Sequence, residues 1–319
     1  MIGARERGTL GIVGTLVWDR IVEWNAGFGG QRDEPVERWG GIAYAVVAAA
    51  AALPARWKVR PIVKVGADLE EDAHELLAAI PRTDTSALRT VRERNNRVEL
   101  RYESETDRTE RLTGGVPGWT WEELETACAD CDALLVNFIS GFELALDTAE
   151  RLGLEFQGPI YADLHSLLLG VADDGTRVPE GLLEWQRWCS CFDAVQVNED
   201  EFERLDRSLD DDARADAILD AGPRLLVITR GGRGVTCVTP PVQAVVGARA
   251  VRRDVTLPAP RRGDPTGCGD VWGATMWSRM LAGDDVLVAA RHANLRAASS
   301  LEHRGAEHLI RAFAIEGES

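Results

Sequence analysis

The chain has 319 residues, enough for one large α/β domain to bury a substantial core, and sets 36 Lys plus Arg against 52 Asp plus Glu for a net charge of −16. Such an excess of acid argues against nucleic acid and anionic membrane as partners. No apolar run reaches the roughly 18 residues that a membrane span needs, and the polar, charged start ahead of a short apolar stretch lacks the layout of a signal peptide, so a cytoplasmic protein is expected.

In chain order, Leu10, Gly11, Ile12 and Val13 form a short strand ended by Gly14, with Asp19 a few residues beyond it. Residues 20–39 hold apolar Ile21, Val22 and Trp24, then Gly27, Phe28, Gly29 and Gly30, then a charged stretch, and read as loop or short strand. Gly40 and Gly41 open an alanine-rich helix that runs to Leu53, and a glycine pair at that point lets the backbone approach a ligand closely. A strand over 59–65 and helical spacing of Leu69, Leu76, Leu77 and Ile80 follow. Between residues 90 and 112 the period changes to two, with Val98, Leu100 and Tyr102 alternating with Arg97, Glu99 and Arg101. An exposed antiparallel strand is expected there, its apolar side over a pocket and its charged side in water.

From about residue 119 helices and strands alternate: helix 121–131, strand 133–138, helix 143–152 and strand 159–163, the last ending at Asp163 and His165. His165 reads as a loop histidine that shapes the pocket or bonds the backbone, and Trp185 and Trp188 as packing on a helix. A strand over 194–198 ends in Asn198, after which Glu199, Asp200 and Glu201 open a helix. Another strand ends in Thr229-Arg230-Gly231-Gly232-Arg233-Gly234, and a helix over 286–300 carries Asn294. This alternation predicts a mostly parallel sheet covered by helices on both faces, with ligands at the carboxyl ends of its strands. The six cysteines, at 128, 131, 189, 191, 237 and 268, are sparse and read as reduced, structural thiols.

The stretch richest in chemistry is Arg261-Arg262-Gly263-Asp264-Pro265-Thr266-Gly267-Cys268-Gly269-Asp270, followed by apolar residues at helical spacing up to Gly283. Pro265 sets the turn, Thr266 can cap, and the amides of residues 267–270 at a helix start make a hole for an anion such as phosphate. Asp270 places a carboxylate beside that hole, which suits phosphoryl transfer with the carboxylate as general base. Taken alone, the stretch also reads as a capped helix after a tight turn.

Asp264, Thr266, Gly267, Cys268, Gly269 and Asp270 resemble the second signature of the ribokinase (PfkB) family of carbohydrate and nucleoside kinases, with Cys268 in place of the usual Ala or Gly. The resemblance implies a three-layer ribokinase-like α/β sandwich, one domain over residues 1–319, with a small β lid from residues 15–39 and 91–113. It implies Asp270 as catalytic base, with Gly267, Cys268 and Gly269 as the anion hole. It implies Asp19, Gly40 and Gly41 at the substrate, and Ala45 where the family's first signature has a substrate-contacting Asn. For ATP and magnesium it implies Asn198 and Glu201, the magnesium held mostly through water, with Thr229, Gly231 and Gly234 at the phosphates and Asn294 at adenine. Asp264 and Thr266 would contribute to a potassium-type monovalent-cation site. The expected activity is ATP-dependent phosphorylation of a small neutral sugar or nucleoside. Because Ala45 removes one expected contact, a catalytically weak sugar-binding member is the alternative. Lids of this type pair between subunits in some members, which would give a homodimer.

Overall fold

The computed structural model describes residues 6–22, 35–102, 108–241, 249–257 and 263–316. The first part of the chain folds as β1 (Gly8–Val13), β2 (Leu16–Val22), β3 (Val36–Gly41), α1 (Ala43–Ala52), β4 (Trp57–Gly66), α2 (Glu70–Ala78), β5 (Leu88–Val91), β6 (Arg97–Tyr102) and β7 (Arg108–Thr113). The middle supplies α3 (Trp121–Cys128), β8 (Ala133–Asn137), α4 (Leu146–Glu155), β9 (Ile160–Asp163), the short strands β10 (Leu169–Val171) and β11 (Arg177–Pro179), α5 (Trp185–Ser190), β12 (Ala194–Asn198), α6 (Glu199–Leu205) and α7 (Asp211–Ala221). The last part supplies β13 (Leu225–Thr229), β14 (Val235–Thr239), β15 (Val251–Val255), α8 (Cys268–Leu281), α9 (Val286–Ser300) and α10 (Ala306–Glu316).

Nine strands form the central sheet in the order β15-β14-β13-β12-β9-β8-β1-β4-β5. Its middle pairs are parallel, as expected for apolar strands separated by helices, whereas β14 runs antiparallel to both neighbours. Buried Leu10, Leu135, Val227 and Trp277, with Ala43, Ala45, Ala48 and Ala49, pack one face against α1, α8, α9 and α10. Val136, Phe138, Trp188, Val195 and Ile218 pack the other against α3, α4, α5 and α7. The result is three layers, with the expected alternation intact.

A separate four-stranded sheet, ordered β3-β2-β6-β7, stands beside the carboxyl ends of the central strands. Within residues 20–39 the short-strand reading applies to the end of β2 and to β3, while Trp24 and the run from Gly27 to Gly30 lie outside the described residues. The period-two reading of β6 holds. Val98 and Leu100 are buried with Val17, Ile21 and Leu112 on one side. On the other side Arg20 and Arg101 pair with Glu99, and Arg97 pairs with Asp68. The Tyr102 side chain lies outside the described residues.

Three boundaries move for local reasons. Gly40 and Gly41 complete β3 instead of opening a helix, so α1 starts at Ala43. The helix expected from residue 143 starts at Leu146, because the buried Glu143 carboxylate accepts N–H groups of Ile139, Ser140 and Gly141 and the Thr15 hydroxyl, closing the loop after β8. Helix α3 stops at Cys128. Cys128 donates its thiol to the Glu125 carbonyl and Cys191 to the Arg187 carbonyl, and no group of three or more Cys, His, Asp or Glu among the described residues is arranged to hold a metal directly. Likewise no described helix is long and apolar enough to cross a membrane.

Candidate active site

The strand ends, the small sheet and the start of α8 converge on two cavities. One, of about 380 Å3, is lined by Asp19 and Gly41, by Val17, Val98 and Leu100 of the small sheet, by Tyr44, and by Asp270 with its turn. The other, of about 700 Å3, is lined by Thr229, Gly231 and Gly234, by Leu257, and by Trp272, Asn294, Ala297 and Leu301. Thr229, Gly231, Pro265, Cys268 and Gly269 belong to both. The wall between the cavities is thus the turn that precedes α8. A further cavity of about 550 Å3, between Trp57 and Trp277, lies at the amino-terminal ends of the strands, away from the turn.

The turn is built by its own backbone. Asp264 accepts the Thr266 N–H at 3.0 Å, and the Cys268 N–H closes onto the Pro265 carbonyl at 3.1 Å. Gly267, not Thr266, is the N-cap of α8; it sits at φ 76° and offers no side chain to bond the first-turn amides. Cys268 turns its thiol toward Ser300 and the Ala297 carbonyl. With the Cys268 amide spent inside the turn and the Asp270 amide bonded to its own carboxylate, the donors left for an anion are those of Gly267 and Gly269, which have no backbone acceptor among the described residues.

Asp270 occupies the first turn of α8, where Asn137 at the end of β8 donates to its Oδ1 at 2.7 Å. Burial pushes its carboxyl up to about 6, and the Asn137 bond and the charge of His165 restrain that rise. Beside it, Asp163 ends β9 and is pushed up to about 8 by burial and by the charge of Glu201. Gln196 ties this carboxyl to the turn: its Nε2 donates to Asp163 at 2.6 Å and to the Gly269 carbonyl at 3.3 Å, while its Oε1 accepts the Tyr161 hydroxyl at 2.7 Å.

Asn198 and Glu201 form a reciprocal cap on α6: the Glu201 N–H donates to Asn198 Oδ1 at 2.9 Å, and the Asn198 N–H donates to Glu201 Oε2 at 2.7 Å. Glu201 also pairs with His165 Nδ1. Burial would lower the imidazole's affinity for a proton, but Glu201 outweighs it and raises His165 to about 9. The same pairing holds Glu201 below the usual carboxylate range despite its burial. His165 is therefore more than a shaper of the pocket; it is the cation that balances one of the cavity's acids.

Most residues singled out in the sequence meet here, with four departures. Asp19 and Gly41 line the smaller cavity, and Gly40 lies beneath the Asp19 carboxylate, which a Cβ would overlap. Ala45 is fully buried inside α1, and Tyr44 takes the position at the cavity. Asn294 lines the larger cavity, but its amide is spent on the Trp272 indole N–H at 2.7 Å and the Val255 carbonyl at 2.9 Å, so it braces the wall. Asp264 pairs with buried Arg38 at 2.8 Å. Thr266 lines the smaller cavity with a hydroxyl that is buried without a partner among the described residues. Asn137, Gln196, Glu110 and Arg38 were not anticipated. Asn137 and Gln196 had a usable signal, a polar side chain at or near the end of an apolar strand.

The comparisons with known proteins bear on the fold and on the family resemblance. Residues 172–312 match the model for pfkB family carbohydrate kinases. No curated protein matches the sequence. Among solved structures, the chain is similar to a pyrophosphate-dependent kinase in the ribokinase family at 17% identity, covering 94% of this chain and 99% of that one with a TM-score of 0.74. It is similar to Arabidopsis thaliana ribokinase, complexed with ribose and ATP, at 15% identity over 98% and 99% of the two chains with a TM-score of 0.69. It is also similar to a Burkholderia thailandensis nucleoside kinase in complex with inosine, at 17% identity over 97% of each chain with a TM-score of 0.68. The fold is the ribokinase fold, and the part of the chain that carries the turn matches the pfkB carbohydrate kinases.

Proposed function

We propose that this ribokinase-fold chain transfers a phosphoryl group from ATP to a hydroxyl of a small neutral sugar or nucleoside. The observation that carries the reading is the single turn, with Asp270 and two free amides, standing between a smaller cavity ringed by acids and a larger one walled by Trp272, Asn294 and Leu301. Asp19 accepts from acceptor hydroxyls, since two carboxylate oxygens can grip neighbouring hydroxyls. Val17, Val98 and Leu100 cover the site and exclude water, the role of a lid. Asp270 takes the proton of the attacking hydroxyl, and the Gly267 and Gly269 amides stabilise the charge that develops on the transferred group.

ATP rather than pyrophosphate is favoured by the size of the larger cavity and by its apolar walls of Leu257, Trp272, Ala297, Ala298 and Leu301, which suit a base and would be left empty by two phosphates. Magnesium fits the same site. Asp163 and Glu201 are buried and Asp270 half-buried, all facing one cavity with only His165 as a cation among its lining, and burial together with the charge of Glu201 pushes Asp163 up to about 8. Asn198 and Glu201 would hold the ion through water, and its chemistry would be to neutralise the phosphate oxygens. The non-catalytic alternative rested on Ala45, and Ala45 does not reach the cavity.

The lining supports a neutral acceptor. Asp19, Glu110, Asp163, Glu201 and Asp270 surround the smaller cavity, while Arg97 and Arg101 are held on the far side of β6 by Asp68 and Glu99. A second phosphate would meet like charge there. Donor consumption across paired panels of free and phosphorylated sugars and nucleosides, with ATP and pyrophosphate as donors, tests the reading: turnover of a free compound with ATP is expected. A preference for a phosphorylated compound, lost on Arg101→Ala, would reverse the assigned face of β6.

The pH profile gives a second test. A base must be charged to act, so kcat should rise as pH increases through about 6 and level off above it. Asn137→Ala removes a hydrogen bond that favours the charged form, and the acid limb should move to higher pH. A limb unmoved in Asn137→Ala would mean that a different group titrates.

A further inference from the structure

The resemblance implies a monovalent cation at Asp264 and Thr266, and the residues present do not fit one. Asp264 Oδ2 accepts Arg38 Nη2 at 2.8 Å, its Oδ1 accepts the Thr266 N–H at 3.0 Å, and the Arg38 and Asp264 side chains are only 6% and 10% exposed. The carboxylate already has its counter-charge in the Arg38 guanidinium. A free cation at the same carboxylate would have to sit beside that fixed charge. The Thr266 hydroxyl and Arg38 Nε are buried without partners among the described residues, but one hydroxyl next to a guanidinium is not a cation cage.

We propose that Arg38 is the built-in cation of the phosphate turn, a positioning residue that acts through Asp264, and that the chain needs no added monovalent cation. The inference rests on the kinase reading above. Arg38 lies on β3 directly across from Asp19 on β2, so the strand pair that carries the sugar-gripping carboxylate also carries the residue that fixes the turn. Its stem runs against the segment after α9, where a Cβ at Gly305 would come 2.7 Å from Arg38 Cδ. The Leu301 carbonyl at the end of α9 accepts the Asp264 N–H at 3.0 Å. Small sheet, turn and the α9–α10 connection are thus joined through one ion pair. Positive charge held there also offsets part of the acid around the acceptor, and it costs no ordering of a free ion on each catalytic cycle.

The test compares potassium, sodium and tetramethylammonium chlorides at equal ionic strength. Wild-type turnover should vary less than about fivefold across the three, the level at which coupling starts to count. Arg38→Met, which keeps the stem and removes the charge, should lose about 10²-fold in kcat through a displaced turn. Potassium or guanidinium should recover part of that loss, and Arg38→Lys should retain more than Arg38→Met. Melting temperature gives a readout independent of activity: potassium should leave wild type unchanged and raise Arg38→Met. Strong potassium activation of wild type, or a folded Arg38→Met with wild-type turnover, overturns the proposal. If Arg38→Met does not fold, the wild-type cation series alone decides. If no acceptor turns over at all, the kinase reading fails, and the response of the wild-type melting temperature to potassium still judges Arg38.

Discussion

Asp270→Asn is expected to lower turnover by about 10²-fold or more while leaving nucleotide affinity near its wild-type value. The amide has the shape of the carboxylate and can still meet Asn137 through one of its two ends, so the first turn of α8 and the amides before it should stay in place. What is lost is the ability to take a proton. The acid limb near pH 6 should vanish with it, since that limb is assigned to Asp270 itself. Steady-state kinetics on an accepted substrate and calorimetric titration with nucleotide separate the two effects. Turnover near wild type would remove Asp270 from the mechanism, and a parallel loss of nucleotide binding would show that the substitution had disturbed the turn.

The turn was legible because its information is local: Pro265, Gly267 and Gly269 prescribe a backbone, and Asp270 falls at a helix start whatever the rest of the chain does. The same holds for the two faces of β6, which the period-two pattern separates without knowledge of its neighbours. What the sequence could not show is which strand ends meet. Asn137, Asp163 and Gln196 come together only because β8, β9 and β12 lie side by side, an order that hydrophobic patterning does not encode. Ala45 came from the resemblance alone, as the position of the signature Asn, and a position in a signature does not say which side of α1 meets the cavity, where Tyr44 and not Ala45 stands. Arg38 gave no signal at all. A charged residue in a charged stretch reads as solvated surface until the sheet places it opposite Asp19 and within reach of Asp264.

Gly267→Ala should damage both the turn and the chemistry. At φ 76° an L residue carries a penalty of roughly 1–2 kcal/mol, and here the added Cβ would also overlap the ring of Tyr44. That ring is carried by α1, the residue is 1% exposed, and its hydroxyl is buried without a partner among the described residues, so it has little freedom to move aside. The turn must shift instead, and with it the Gly269 amide, for which a loss of about 10²–10³ in kcat is the usual cost of a misplaced anion-hole donor. Gly269→Ala is the control, because its Cβ would meet nothing nearer than Gln196 Nε2 at 4.0 Å. It should fold normally and lose far less. Combining Gly267→Ala with Tyr44→Leu should restore part of the stability, measured by thermal unfolding, without restoring the left-handed preference, so turnover should recover less than stability. Equal kcat for Gly267→Ala and wild type would mean that phosphate is not held by this turn, and the wall between the two cavities would have to be read as structure alone.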